Sequence, residues 1–338
     1  MSSYRPQITR VESGGSAASK IKAGKELMQQ DRLEDALAQF EAGVKAEPND
    51  RKAHLFCAGV LAKLKRWDES IAHCEEVHRI DPMNVQAHLR HARVLLAKRE
   101  MDAALKEVDT VLQLDAQSTL AYFMRGYIAF SKHDFEAARN AYAKALLLNP
   151  RMVRARIELA RVLMAESKST EALSQLGAAT RIEPENGLVK EALGRIHVLA
   201  GDHAAAMDAY EQAFALGRQE SGEANMGYAE AAIALGKFEE AEKRLRKAED
   251  KAKSRMRLQR IWGDLAYGRE FYSDAVDQYR AALLLASSGG DLESQLLETT
   301  PAADDPAGLK AMADELRGKL GELRMKEELE TSAPDVED

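Results

Sequence analysis

A period of 34 residues constrains this chain more than any other feature it has. The stretch Thr119 to Met152 serves as the measure, with Tyr122, Gly126, Ala138, Tyr142, Ala145 and Pro150 inside it. The same measure fits without a gap from Ala17, Arg51, Val85, Thr119, Val153 and Gly187. It takes up one extra residue near Ser221 and fits again from Gly222 and Met256 to about Gly289. A register held over eight units means a linear array of like elements, each burying its apolar face against its neighbours.

Each unit reads as two helices. Position 8 is always small: Gly24, Ala58, Ala92, Gly126, Ala160, Gly194, Ala229 and Gly263. So is position 20: Ala36, Ser70, Ala104, Ala138, Ala172, Ala206, Ala241 and Ala275. Small side chains at two fixed positions are what closely crossing helices require. Position 24 is larger, from Phe40 through Cys74, Val108, Tyr142, Leu176, Tyr210 and Leu245 to Tyr279. Gly201 and Gly236, both at position 15, mark a turn between the helices. Pro48, Pro82, Pro150 and Pro184 close four units, since proline cannot continue a helix.

This pattern resembles the tetratricopeptide repeat (TPR) family, whose signature includes A-x3-F followed by a closing proline. The best matches are Ala36 with Phe40 and Pro48, and Ala138 with Tyr142 and Pro150. The aromatic usual at position 4 is mostly replaced, by His54, His88 or Arg156, and the third and last three units lack the closing proline. The resemblance covers residues 17–289. It implies an all-α, right-handed superhelical solenoid of antiparallel helix pairs, with a concave groove lined by positions 2, 5, 9 and 12 of each first helix.

Outside the array, residues 1–16 read as a flexible N-terminal arm and residues 290–308 as an acidic linker. Asp305 then reads as a helix N-cap with Pro306 at the first helical position. Residues 309–330 form an amphipathic helix with Leu309, Met312, Leu316, Leu320 and Leu323 at helical spacing. That helix is expected to cap the last unit, with occupation of the groove as the alternative. Residues 331–338 are an acidic tail. Residues 290–338 hold 14 acidic and 5 basic side chains, so most of the net charge of −7 sits there and the array is near neutral.

Composition narrows the function. Only 6% of residues are aromatic, and no run of about 18 apolar residues exists to insert into a membrane. The first residues lack the apolar segment of a secretory signal, and Cys57 and Cys74 are too few for a disulfide framework. The expected location is cytoplasmic, with both cysteines as buried thiols. No nucleophile elbow, phosphate loop or dinucleotide fingerprint is present, so neither an enzyme nor a cofactor is expected. His54, His73 and His78 invite a zinc site, but His73 and His78 are five apart and diverge on a helix, so no metal is expected.

The resemblance directs attention to positions 2, 5, 9 and 12. In the fourth unit these are Leu120, Phe123, Tyr127 and Phe130, an aromatic stripe expected to face solvent. Arg93, Arg161 and Arg195 occupy position 9 of neighbouring units, and Arg154 occupies position 2 of the fifth. Aromatic and Arg side chains anchor interfaces, and Arg grips carboxylates in bidentate fashion. The seventh unit presents Glu223, Met226, Glu230 and Ile233 and the eighth Arg257, Arg260, Asp264 and Tyr267, which predicts a groove that changes sign along its length. The clamp by which some TPR proteins hold the C-terminus of heat-shock chaperones is missing, since positions 5 and 9 begin with Ile21 and Lys25, then Leu55 and Gly59.

The expected function is a non-catalytic scaffold or adaptor that holds a peptide or helix of a partner protein, one with acidic and apolar residues. The alternative is a client-shielding chaperone or assembly factor. Net acidity counts against nucleic acid. Homo-oligomerisation stays open.

Overall fold

The computed structural model describes residues 16–286 and 305–330, with side chains through 286 and from 305 to 321. Nearly all of the arm, most of the acidic linker, the tail and the side chain of Leu323 lie outside the described residues. Among the described residues there are seventeen α-helices and no strand. The first eight are α1 (Ala17–Gln29), α2 (Leu33–Ala46), α3 (Arg51–Lys63), α4 (Trp67–Ile80), α5 (Val85–Ala97), α6 (Met101–Leu114), α7 (Thr119–Ser131) and α8 (Phe135–Leu148). They are followed by α9 (Val153–Ala165), α10 (Ser169–Ile182), α11 (Gly187–Leu199), α12 (His203–Ala213), α13 (Gly222–Ala234), α14 (Phe238–Ala248), α15 (Arg255–Gly268), α16 (Tyr272–Ala286) and α17 (Pro306–Glu330). Seven of the eight first helices start on the residue set by the period, and the eighth starts at Arg255, one residue early.

The chain divides into two compact units between Ile128 and Ala129, within α7. In the first, α1 with α2, α3 with α4 and α5 with α6 pack as pairs. In the second, the pairs are α9 with α10, α11 with α12, α13 with α14, and α15 with α16. First helices of consecutive repeats also touch, as α1 with α3, α3 with α5, α9 with α11, α11 with α13 and α13 with α15.

Position 15 takes the left-handed conformation in every repeat. Gly201 and Gly236 do so at φ 79° and 73°, and Asp31, Lys65, Arg99, His133, Ser167 and Glu270 do so despite their side chains, at φ 58° to 66°. The residue after it donates its N–H to the carbonyl of position 11, as in Arg32 to Leu27, Arg66 to Leu61 and Lys237 to Ala232. This six-to-one bond closes the first helix and reverses the chain. The geometry is the same with or without glycine, so the packing of the pair imposes the turn.

Position 20 has no exposure in any repeat. Ser70, the one polar residue there, gives its hydroxyl to the carbonyl of Ala58 at 2.7 Å, which satisfies a buried donor. Positions 8 and 24 are matched in size. A Cβ placed on Gly24 would lie 2.4 Å from Phe40, on Gly194 2.9 Å from Tyr210, and on Gly263 2.5 Å from Tyr279. Where position 8 is Ala, position 24 is Cys74, Val108, Leu176 or Leu245 instead of an aromatic ring. The inserted residue before α13 is absorbed by a π-helical turn, Phe214–Arg218, in which Gly217 adopts φ 91°. Only a residue without Cβ takes that conformation at little cost.

The departures at position 4 also have a structural reason. His54 Nε2 meets the Pro48 carbonyl at 3.0 Å and His88 Nε2 meets that of Pro82 at 3.0 Å. Arg156 donates to the Pro150 carbonyl at 2.7 Å, and Asn225 donates to that of Gln219 at 2.9 Å. The other end of each side chain reaches position 23 of its own repeat: His73, Glu107, Gln175 and Arg244. Polar residues at position 4 therefore tie the end of one repeat to the next.

At the C-terminal end, Asp305 caps α17 by accepting from Gly308 N at 2.9 Å. Leu309, Ala313, Leu316 and Leu320 are buried. The last three join Val276, Tyr279 and Leu283 in one core, so α17 covers the last repeat. The same helix also reaches positions 9 and 12 of the eighth first helix, through Arg317 to Asp264 and Asp314 to Tyr267.

Candidate interaction surface

The residues expected to form the surface fall in both compact units. In the first, Arg93 on α5 and Leu120 on α7 are half-buried, while Phe123 and Tyr127 are each only 7% exposed. Tyr127 belongs to a core with Leu89, Ala92, Leu95, Met124 and Ile128, and Leu120 packs against it. In the second, Phe130 is 4% exposed. The expectation that Phe123, Tyr127 and Phe130 face solvent is therefore corrected. First helices of successive repeats lie against each other, so a large ring at positions 5, 9 or 12 is covered by neighbouring side chains.

The second unit brings part of the expected set together. The Arg161 guanidinium lies over the Phe130 ring, 4.8 Å from its centroid, and donates to Glu158 at 2.5 Å. Phe135 approaches the Phe130 ring at a centroid distance of 5.8 Å, tilted by 60°. Arg154 and Arg161 on α9 and Arg195 on α11 all act on the buried Glu158 carboxyl. Burial pushes that carboxyl above its usual range, and the three arginines pull the other way without overcoming it. Glu158 thus sits in the field of three guanidinium groups on half-buried stems.

Further along, the predicted change of sign is cancelled within the stack. Arg257 donates to Glu223 at 2.8 Å and to Glu230 at 2.6 Å. Arg260 pairs with the other oxygen of Glu230 and with Asp264 at 3.0 Å. Arg317 of α17 adds a contact to Asp264 at 3.1 Å. Arg257 and Arg260 are buried, so these charges neutralise one another and present no bare stretch of either sign.

Of the three histidines weighed for zinc, His54 and His73 meet, with their Nδ1 atoms 2.9 Å apart, while His78 stacks on His88. Both cysteines are fully buried, and burial pushes each thiol up to about 12. Sequence reasoning missed the link from position 4 to position 23, although a 19-residue spacing between polar residues recurs in the second, third, fifth and seventh repeats.

Paired helices repeating along the chain define a helical repeat array, and the comparisons identify its family. Sequence profiles of the tetratricopeptide repeat match residues 21–83, 64–124, 129–196 and 197–260, more than half of the chain, which therefore belongs to this family. A comparison with curated proteins finds no match. Among solved structures, the fold is similar to that of a chain in the APC/C hetero-tetramer Cut9–Hcn1, with a TM-score of 0.64 at 14% identity. That match covers 86% of this chain but 56% of the other, so this chain spans little more than half its length. PilW, a widely conserved type IV pilus biogenesis factor, matches with a TM-score of 0.56 at 19% identity, over 62% of this chain and 96% of that one. At these identities the likeness is one of fold. No helix among the described residues is long and apolar enough to cross a membrane.

Proposed function

We propose that this TPR protein is a non-catalytic scaffold that binds a segment of a partner protein carrying acidic and apolar residues. The binding surface is built on the first helices of the fifth and sixth repeats. The observation that carries the reading is that Arg154, Arg161 and Arg195, from two successive repeats, all act on the buried Glu158 carboxyl, with Arg161 lying over Phe130. A carboxylate from a partner would compete with Glu158 for guanidinium groups already held in place, so little side-chain entropy is lost on binding. Leu188, exposed at position 2 of the sixth repeat on α11, offers an apolar contact beside them.

The test is selection from a displayed peptide library on the full chain, followed by titration of the selected peptides. Sequences with Asp or Glu beside Leu or Phe should be enriched. Arg154→Glu with Arg195→Glu should weaken the selected peptide by at least about tenfold, and Glu158→Gln should strengthen it, because one competing carboxyl is removed. Thermal melts of each variant separate loss of binding from loss of fold. Enrichment of basic or purely apolar peptides, or affinity unchanged by both variants, would overturn the reading.

A further inference from the structure

The geometry points to a binding site for a divalent transition-metal ion of the zinc class at the junction of the second and third repeats, held by His78, His91 and Glu107. One nitrogen of each histidine and one carboxylate oxygen of Glu107 lie within 4.8 Å of one another. The three residues come from three successive helices, α4, α5 and α6, all in the first compact unit.

Of the three ligand groups, the two histidine nitrogens are not taken up by hydrogen bonds. His78 Nε2 is buried and has no hydrogen-bond partner. His91 Nδ1 lies 3.3 Å from Glu107 Oε1 but lacks hydrogen-bond geometry. Two ligands of a tetrahedral zinc ion with bonds of about 2.0–2.1 Å stand about 3.3–3.4 Å apart, so His91 and Glu107 already have the spacing an ion needs. All three side chains are half-buried.

A supporting residue is also in place. His88 stacks on His78 with ring centroids 4.1 Å apart, and its Nδ1 meets Glu107 Oε2 at 2.6 Å. Its other nitrogen is taken by the Pro82 carbonyl at 3.0 Å, so His88 orients the carboxylate and is not itself a ligand. Two imidazoles and one carboxylate suit a borderline divalent ion such as zinc and leave the fourth position to water. Because the ligands span two repeats, an ion there pins the two repeats together.

The experiment uses the full chain, freed of metal with a chelator and titrated with zinc chloride by calorimetry and by thermal melting. One equivalent should bind, and the melting temperature should rise with zinc concentration, since a ligand of the folded state alone stabilises it by mass action. His91→Gln, Glu107→Gln and His78→Gln should each weaken binding by more than the roughly 10–100-fold expected for the supporting change His88→Gln. His54→Gln, outside the cluster, should leave zinc affinity unchanged. Metal-free circular dichroism shows which variants keep the helical fold, and should one unfold, the other two decide. Absence of stoichiometric zinc, affinity equal to the unaltered chain in folded ligand variants, or a cobalt spectrum with thiolate bands from Cys57 or Cys74 would each overturn the site.

Discussion

Replacing Gly24 by Ala should destabilise the first repeat, and shrinking Phe40 to Leu should rescue it. The added methyl would sit 2.4, 2.7 and 2.8 Å from three carbons of the Phe40 ring. Carbon atoms pack at about 3.5–4.0 Å, so the ring would have to move by about 1 Å. It has nowhere to go, since Phe40 has no exposure and stacks on Phe56 with centroids 5.0 Å apart. Overpacking of this kind costs about 1–3 kcal/mol. The better helix propensity of Ala returns up to about 1 kcal/mol, leaving a net loss of about 1–2 kcal/mol for Gly24→Ala. Phe40→Leu alone opens a void and should lose about 1–2 kcal/mol, below the 3–5 kcal/mol of Phe→Ala. In the double variant the methyl fills part of that void and the clash disappears, which recreates the Ala160–Leu176 and Ala229–Leu245 pairs already present in the chain. The coupling should be favourable by at least about 1.5 kcal/mol. Two tryptophans make it measurable, because Trp67 lies in the first compact unit and Trp262 in the second. In a Trp262→Phe background, urea unfolding followed by Trp67 fluorescence reports the first unit. Single losses that add to within about 0.5 kcal/mol would refute the claim that positions 8 and 24 are matched in size.

Three further expectations follow from the same geometry. Lys65→Gly and Arg99→Gly should each stabilise the fold by about 0.5–1 kcal/mol after the entropy cost of glycine, read as a higher urea midpoint, because both exposed residues hold a left-handed backbone; Gly201→Ala should do the reverse, and equal effects at all three positions would discard the argument. Stability should fall as pH drops from 7 towards 5: burial and the neighbouring His54 ring hold His73 below its ordinary 6.5, with Glu69 and Glu76 opposing, so the unfolded chain takes up the proton first, and His73→Gln should flatten this part of a pH-stability curve. Glu230→Gln should cost about 3–5 kcal/mol by leaving Arg257 and Arg260 buried with too little opposite charge, read as an early transition of Trp262, and a loss below about 1 kcal/mol would show the network to be dispensable.

Most of the fold was legible because the repeat is enforced by sterics at a few positions. A small residue at position 20 is required wherever two helices cross closely, and it recurs without exception from Ala36 to Ala275. Gly201 and Gly236 advertised the turn at position 15, whereas Lys65 and Arg99 gave no such signal, since there the packing of the pair forces a conformation that the side chain disfavours. The extra residue near Ser221 was visible as a slip of register, and Gly217 shows how the backbone absorbs it.

The candidate surface was harder to read, because the direction of a side chain on a first helix depends on what the neighbouring repeat places against it. Tyr127 and Phe130 stand on the stripe that the resemblance assigns to the groove, yet both rings are covered. Arginine at the same positions is not uniformly covered: Arg154, Arg161 and Arg195 are half-buried, whereas Arg257 and Arg260 are buried with their carboxylate partners. Glu223, Glu230, Arg257 and Arg260 look like a sign change in sequence, but they lie 27 to 34 residues apart, about one repeat, and so neutralise each other across the stack. Residues one repeat apart are neighbours in such an array. A charge in one repeat is therefore read together with the equivalent stretch of the next, and around Glu158 that pairing brings Arg154, Arg161 and Arg195 of two repeats onto one buried carboxyl.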